Sequence, residues 1–274
     1  DKVQISVLDE SSSQGLNSLT PRFSCPRYNK LENVHKIAPY DKSYLKTILA
    51  RFVENHPNLN IETDDIEVLF QYIAYETNVK GFSPFAKLFR NEEYVRYGYS
   101  EDLSKYYANS RGNPITPVIG SVLLNASLTL LKDTERENKI WLSFSHDTDW
   151  EMFHAALGIF GPKADLPVDY IPFPNPYNHA LLLPQGARLL LEKYSYRGTS
   201  YVRYILNDAV QPIPNCLSGP GFSCPIEDFE KYIQLKIGRF SIVEQCAVPD
   251  DVPHSVSFYW DYEIMKYEAQ LIDQ

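Results

Sequence analysis

The chain lacks the features that would place it in a membrane, on a nucleic acid or around a metal. No apolar run approaches the ~20 residues that a helix needs to cross a bilayer, so no membrane partner is expected. Basic residues are the minority, 26 Lys and Arg against 35 Asp and Glu, and no basic stripe with interleaved aromatics offsets the formal charge of -9. That balance excludes a nucleic-acid partner. Cysteine occurs four times, and none of the four has metal-ligand spacing. His154, His179 and His254 also lack any partner at that spacing, so no metal and no cofactor is expected. Internal repeats and low-complexity tracts are absent, which removes repeat arrays from consideration. What remains is a chain of 274 residues, 44% of them hydrophobic, enough for one large or two moderate domains with a substantial core.

One stretch reads as chemistry. From Lys139 to Gly158 the sequence is KIWLSFSHDTDWEMFHAALG. Ile140, Leu142 and Phe144 alternate with Trp141, Ser143 and Ser145, a pattern that predicts a buried strand. Thr148 and Glu151 have the spacing of a capping box, and Met152, Phe153, Ala156 and Leu157 supply a helix-period apolar face ending at Gly158. His146 and Asp147 therefore sit in the turn between strand and helix. In an open α/β sheet ligands bind there, beyond the carboxyl ends of strands, where helix N-terminal amides receive an anion. An imidazole beside a carboxylic acid suits a phosphate ester: His146 neutralises phosphate oxygens and Asp147 protonates the leaving alkoxide, provided its proton is held at the working pH. Taken alone, the dipeptide is ordinarily a helix cap next to a satisfied polar histidine.

Around this stretch the secondary-structure signals change twice. Val3 to Leu8 predicts a short strand, followed by a Ser/Gly/Asn-rich loop. From Asp41 the period becomes helical. Leu45, Ile48, Leu49, Phe52 and Val53 share one face, and a second helix from Thr63 ends at Gly81. Ser83-Pro84 and Thr116-Pro117 each place an N-cap residue before a proline suited to a first turn, predicting helices near 84–90, 92–108 and 117–132. Ala180 to Tyr194 and Tyr201 to Leu206 are β-rich and joined by SYRGTS, which reads as a hairpin; Arg188 alternates along the first run as a structural residue. Phe229 to Ile237 reads as a helix and Val256 to Tyr262 as a last extended segment. The organisation is α/β: residues 1–35 form the first part of a sheet domain, 36–135 an inserted helical subdomain and 136–274 the remainder of the sheet domain.

Cys25, Cys216, Cys224 and Cys246 allow three pairings, and Cys216 and Cys224 bracket a Gly/Pro-rich loop short enough to close. Disulfides imply an oxidising compartment. Asn125 opens the sequon Asn-Ala-Ser, a candidate glycosylation site that agrees with secretion to an extracellular or cell-wall space.

Several longer segments, SPFAKLF, LSKYYANSRGNP, WLSFSHDTD, LPQGARLLLEKY, YVRYILNDAVQPI and CLSGPGFSC, stand in an order that resembles the histidine acid phosphatase family, above all secreted yeast acid phosphatases and fungal phytases. The resemblance covers most of the chain. It implies a histidine-phosphatase-like α/β sheet domain with an inserted helical subdomain, and hydrolysis of phosphomonoesters such as phytate through a phosphohistidine intermediate. By residue, it gives His146 a phosphate-binding role and Asp147 the general-acid role. Lys105 falls where fungal phytases carry basic residues facing the inositol phosphate, and Ser104 stands where some have a second Lys. It also implies the pairings Cys25–Cys246 and Cys216–Cys224. A further family disulfide is replaced by Ile73 and Ala86. The family's nucleophile is a His in an RHGxRxP motif, and these residues contain none. The expectation is that this chain matches the C-terminal two-thirds of such an enzyme and acts with an N-terminal chain or segment of the same precursor, with a homo-oligomer also compatible. The alternative is a non-catalytic secreted binding or structural module that keeps the fold.

Overall fold

The computed structural model describes Leu16 and residues 19–135 and 140–251; the segments expected at Val3–Leu8 and Val256–Tyr262, together with His254, lie outside them. After a 3-10 turn at Pro21–Ser24 come helices α1 (Val34–Ile37), α2 (Ser43–Asn55), α3 (Thr63–Lys80), α4 (Asn91–Asn109) and α5 (Thr116–Lys132), with a further 3-10 turn at Pro84–Leu88. Helices α6 (Asp147–Leu157) and α7 (His179–Leu182) lead to strands β1 (Leu189–Tyr196), β2 (Thr199–Leu206), β3 (Ala209–Val210) and β4 (Cys224–Pro225), then α8 (Ile226–Ile237) and α9 (Ile242–Cys246).

Local chemistry explains where these helices begin and end. At the start of α3 the Asp65 carboxylate accepts the Glu62 N–H at 2.8 Å, and acidic side chains in the first turn complement the helix dipole. Gly81 then stops it in a left-handed conformation, φ 78°. The helix expected near 84–90 is a short 3-10 turn with Pro84 in its first position.

Helix α5 is apolar on nearly every side, the mark of a helix packed between layers. Its Leu123, Leu124 and Leu128 pack with Phe153 and Leu157 of α6, Val202 and Tyr204 of β2, and Phe229 and Ile233 of α8. Val118 and Ile119 join Met152 in a second cluster that includes the Cys25–Cys246 disulfide. A third cluster, from α2 and α3, contains Ile48, Ile66, Phe70 and Ile73 with Ala86 against it, so apolar packing occupies the place of a cross-link. Each such fully buried aliphatic or aromatic side chain stabilises the fold by about 1.5–3 kcal/mol.

In the antiparallel sheet β2 is central, with β1 on one edge and β3 and β4 on the other. Leu189 faces Leu206 and Tyr196 faces Thr199, so the hairpin turns at Arg197-Gly198, both with positive φ as a two-residue turn of primed type requires. The second disulfide, Cys216–Cys224, closes the loop that delivers β4.

Two expectations are corrected here. The β-run begins at Leu189 and not at Ala180, because His179–Leu182 forms a capped helical turn and Gly186, φ 78°, turns the chain. Residues 140–146 form no ladder among the described residues. Their burial alternates, but with the apolar residues outward: Ile140, Leu142 and Phe144 are 73%, 80% and 88% exposed, while Trp141 packs on the core.

At Gly120 helix α5 lies close against α6: an added Cβ would lie 1.9 Å from the carbonyl oxygen of Met152. Gly120→Ala must push the helices apart, and overpacking of this kind costs ~1–3 kcal/mol. Gly98, inside α4, has open space around it and should gain up to ~1 kcal/mol as Ala. Thermal melts of both variants check this: Gly120→Ala is expected to melt lower than the parent and Gly98→Ala no lower.

Candidate active site

Three helices deliver the candidate residues to one point. His146 is the N-cap of α6, with extended backbone at φ -105° and ψ 155°, and its carbonyl accepts the N–H groups of Asp149 and Trp150 at 3.1 and 3.3 Å. Asp147 is the first residue of the helix. One of its oxygens, Oδ1, accepts the Thr148 N–H at 2.7 Å. The other, Oδ2, accepts from Lys105 Nζ of α4 at 2.7 Å and lies 3.2 Å from His179 Nε2 at the start of α7. The structure thus brings Lys105 and Asp147 into contact. His146 is half exposed beside them, its Nδ1 3.7 Å from the fully buried Asp149, which is also paired with Arg22.

The capping box expected of Thr148 and Glu151 does not form. The helix starts at Asp147, so Thr148 is already inside it, and Glu151 is turned inward and buried. Its Oε1 accepts the Tyr177 hydroxyl at 2.6 Å and lies 2.6 Å from His179 Nδ1, with the ring N–H poorly aimed at it. Behind His179 is a small pocket lined in part by Ser110, Glu151, His154, Tyr177 and Leu182. Asn125 lies exposed on α5, and Arg188 pairs with Asp208 at the surface.

The contacts set the charges. Hydrogen bonding from His179 first, then Lys105 and the Thr148 N–H, holds Asp147 far below the usual carboxylate range despite partial burial. Burial disfavours charge on His179, yet Asp147 and Glu151 together outweigh it and push its pKa up to about 9. Burial raises Asp102 to about 6, against the His179 N–H and Asn175 amide that favour its ionised form. Burial alone lowers His154 to about 3, with its Nε2 hydrogen bonded to the Tyr204 hydroxyl. The arrangement is an acid–cation cluster at a helix N-terminus, suited to an anionic ligand. Among the described residues no three His, Cys, Asp or Glu groups are disposed to hold a metal ion, and no helix is long and apolar enough to cross a membrane.

Comparison with known proteins gives the family. A model of the histidine phosphatase superfamily (branch 2) matches residues 1–207. The chain belongs to that superfamily. It is 50% identical over 269 residues to the phytase PHO112 of Candida albicans, covering 98% of this chain and 58% of that protein. It is 38% identical over 276 residues to the repressible acid phosphatase of Saccharomyces cerevisiae, 99% of this chain and 59% of the relative. The crystal structure of the phytase from D. castellii superposes with a TM-score of 0.92 at 52% identity, covering 97% of this chain and 58% of that one. The chain thus spans about three-fifths of the length of these relatives.

The sequence reading gave no site role to Glu151, His179, Tyr177 or Asp102. Glu151 carried a signal in its position one helical turn after Asp147, which places both carboxylates on one face. His179 carried none beyond the polar run Asn175–His179.

His154 gives a pH prediction with a definite sign. The unfolded chain takes up a proton at this histidine below about 6.5, whereas the folded site does so only near 3. Its contribution to stability is present above pH 6.5 and is lost as pH falls toward 3. His154→Gln should flatten that part of the melting-temperature profile, and an unchanged slope between pH 6.5 and 3 would contradict the assignment.

Proposed function

We propose that this chain carries the general acid and part of the phosphate-binding surface of a secreted acid phosphomonoesterase of acid phosphatase or phytase type. The observation that carries the reading is Asp147 at the N-terminus of α6 with Lys105 Nζ 2.7 Å away, where a carboxyl group and a cation meet at one open helix terminus. The named relatives are phytases and acid phosphatases. Phosphoryl oxygens are held by His146 and Lys105 at the positive end of α6. A histidine nucleophile attacks phosphorus while Asp147 protonates the leaving alkoxide, and Asp147 then assists water in hydrolysing the phosphohistidine.

The nucleophile is supplied by a polypeptide segment other than these 274 residues, which contain no RHGxRxP motif. The outward row of Ile140, Leu142 and Phe144 favours this, since such a face is stabilised by a neighbouring strand. The helical part, residues 36–135, contributes Lys105 and one wall of the cleft. Two disulfides support a secreted location. Phytate and simpler phosphomonoesters both fall within this chemistry.

Asp147→Asn is the test. Loss of a general acid should slow hydrolysis of an alkyl phosphate ~10²–10⁴-fold and leave an ester of an acidic phenol much less affected. Equal losses on both substrates would remove the role. His146→Ala should weaken inhibition by inorganic phosphate. Intact-mass analysis of the active protein is expected to show a second segment bearing RHGxRxP, and activity from residues 1–274 alone would overturn the division.

A further inference from the structure

His179 is built into the site from both its backbone and its ring. Its N–H donates to Asp102 Oδ1 at 2.8 Å, while Asn175 Nδ2 holds the other Asp102 oxygen at 2.6 Å. Asn178 caps the turn that carries it by accepting the Leu181 N–H at 3.1 Å. The ring spans two carboxylates on one face of α6, with Nε2 3.2 Å from Asp147 Oδ2 and Nδ1 2.6 Å from Glu151 Oε1. Glu151 is only 2% exposed at its side chain, so an ionised carboxylate there has little water to solvate it. A protonated imidazole between the two acids neutralises that buried charge, which is expensive to leave unpaired.

The same contacts create a difficulty for Asp147 as the acid. Lys105 and His179 stabilise its carboxylate, so the group facing the substrate does not hold the proton it must donate. We propose that His179 is the proton store for Asp147, passing its Nε2 proton to Asp147 Oδ2 as the leaving oxygen departs and recovering it when water attacks the phosphoenzyme. This rests on the phosphomonoesterase reading above. His179 acts through Asp147 and is a positioning residue, fixed by Glu151, Tyr177 and Asp102.

The proton balance closes within the two half-reactions. In the first, the His179 Nε2–H bond breaks with its electron pair left on nitrogen. An O–H bond forms on Asp147, and the leaving alkoxide takes that proton as the P–O bond breaks and the P–N bond forms. The ring is left neutral with Nδ1–H toward Glu151. In the second, water gives a proton to Asp147 and thence to Nε2, while its oxygen bonds to phosphorus and the P–N bond breaks. An incoming phosphoryl dianion helps the first transfer by drawing Lys105 away from Asp147.

The groups facing His179 are Asp147 and Glu151 of α6, Lys105, Asp102 and Glu101 of α4, Tyr177 from the preceding turn, and His154 in the shared pocket. Burial and Lys105 oppose the charge, and the two α6 acids more than offset them, so the store stays filled through acid and neutral pH. Its contribution to stability is present below pH 6.5 and lost as pH rises through about 9.

Two measurements decide the proposal. Nitrogen-15 NMR of the histidine rings in this chain should show His179 protonated at both nitrogens at pH 7, with its titration moved to lower pH in Glu151→Gln and in Asp147→Asn. Titration of His179 at the ordinary histidine value overturns the proposal whether or not the protein is a phosphatase. In the active enzyme, His179→Gln should lower kcat ~10²-fold or more on an alkyl phosphate, with KM and the rate on p-nitrophenyl phosphate little changed, and Glu151→Gln should do the same more weakly. Equal losses on both substrates, or none, refute the store. A protonated His179 in a protein that hydrolyses neither substrate overturns the phosphomonoesterase reading, and the catalytic role of His179 with it.

Discussion

The ion pair between Asp147 and Lys105 is the interaction on which the site depends. It exists because two helices that share little sequence proximity cross at the N-terminus of α6, where Lys105 Nζ of α4 comes within 2.7 Å of Asp147 Oδ2. That crossing is held from behind. Gly120 lets α5 press against the backbone of α6 at Met152, the apolar α5 gives α6 a surface to lie on, and Arg22 pairs with the buried Asp149 in the first turn of α6. Helix α7 completes the cluster from the other side, with Asp102 on α4 receiving its first N–H.

Charge in this protein is a local matter. The chain is acidic, with a formal charge of -9, yet its cleft gathers Lys105, His146 and His179 around the α6 N-terminus. Water is only partly excluded there, so Coulomb terms are stronger than at the open surface. The buried groups respond to pH in opposite directions. Ionisation of Asp102, raised to about 6, costs stability as pH rises from its unfolded value near 3.8, whereas His154 costs stability as pH falls toward 3. Between about pH 4 and 6 the two trends oppose each other and largely cancel.

Much of this was legible in the sequence, and the misses have physical causes. The HD dipeptide was visible because a strand-like alternation and a helix-period face meet there, which fixes the turn between them. Helix α3 was visible because its apolar period and Gly81 agree. Lys105 was reached through family resemblance, since a single lysine on a helix has no local signal. Glu151 was misread because Thr-x-x-Glu serves equally as a cap or as an inward-facing carboxylate, and only the actual start of the helix at Asp147 separates the two. His179 was passed over because its partners are distant in sequence. The segment 140–146 shows the correct period with the opposite burial, because period alone does not say which face is covered.

The central claim is that Asp147 is ionised when the site is free and becomes easier to protonate when a phosphoryl dianion takes Lys105 from it. Carbon-13 NMR of the Asp147 carboxyl in the active enzyme, followed against pH with and without saturating inorganic phosphate, tests this directly. The account predicts a carboxylate at pH 5 in the free enzyme and an upward displacement of its titration when phosphate is bound. An Asp147 titration that phosphate leaves unmoved would contradict it.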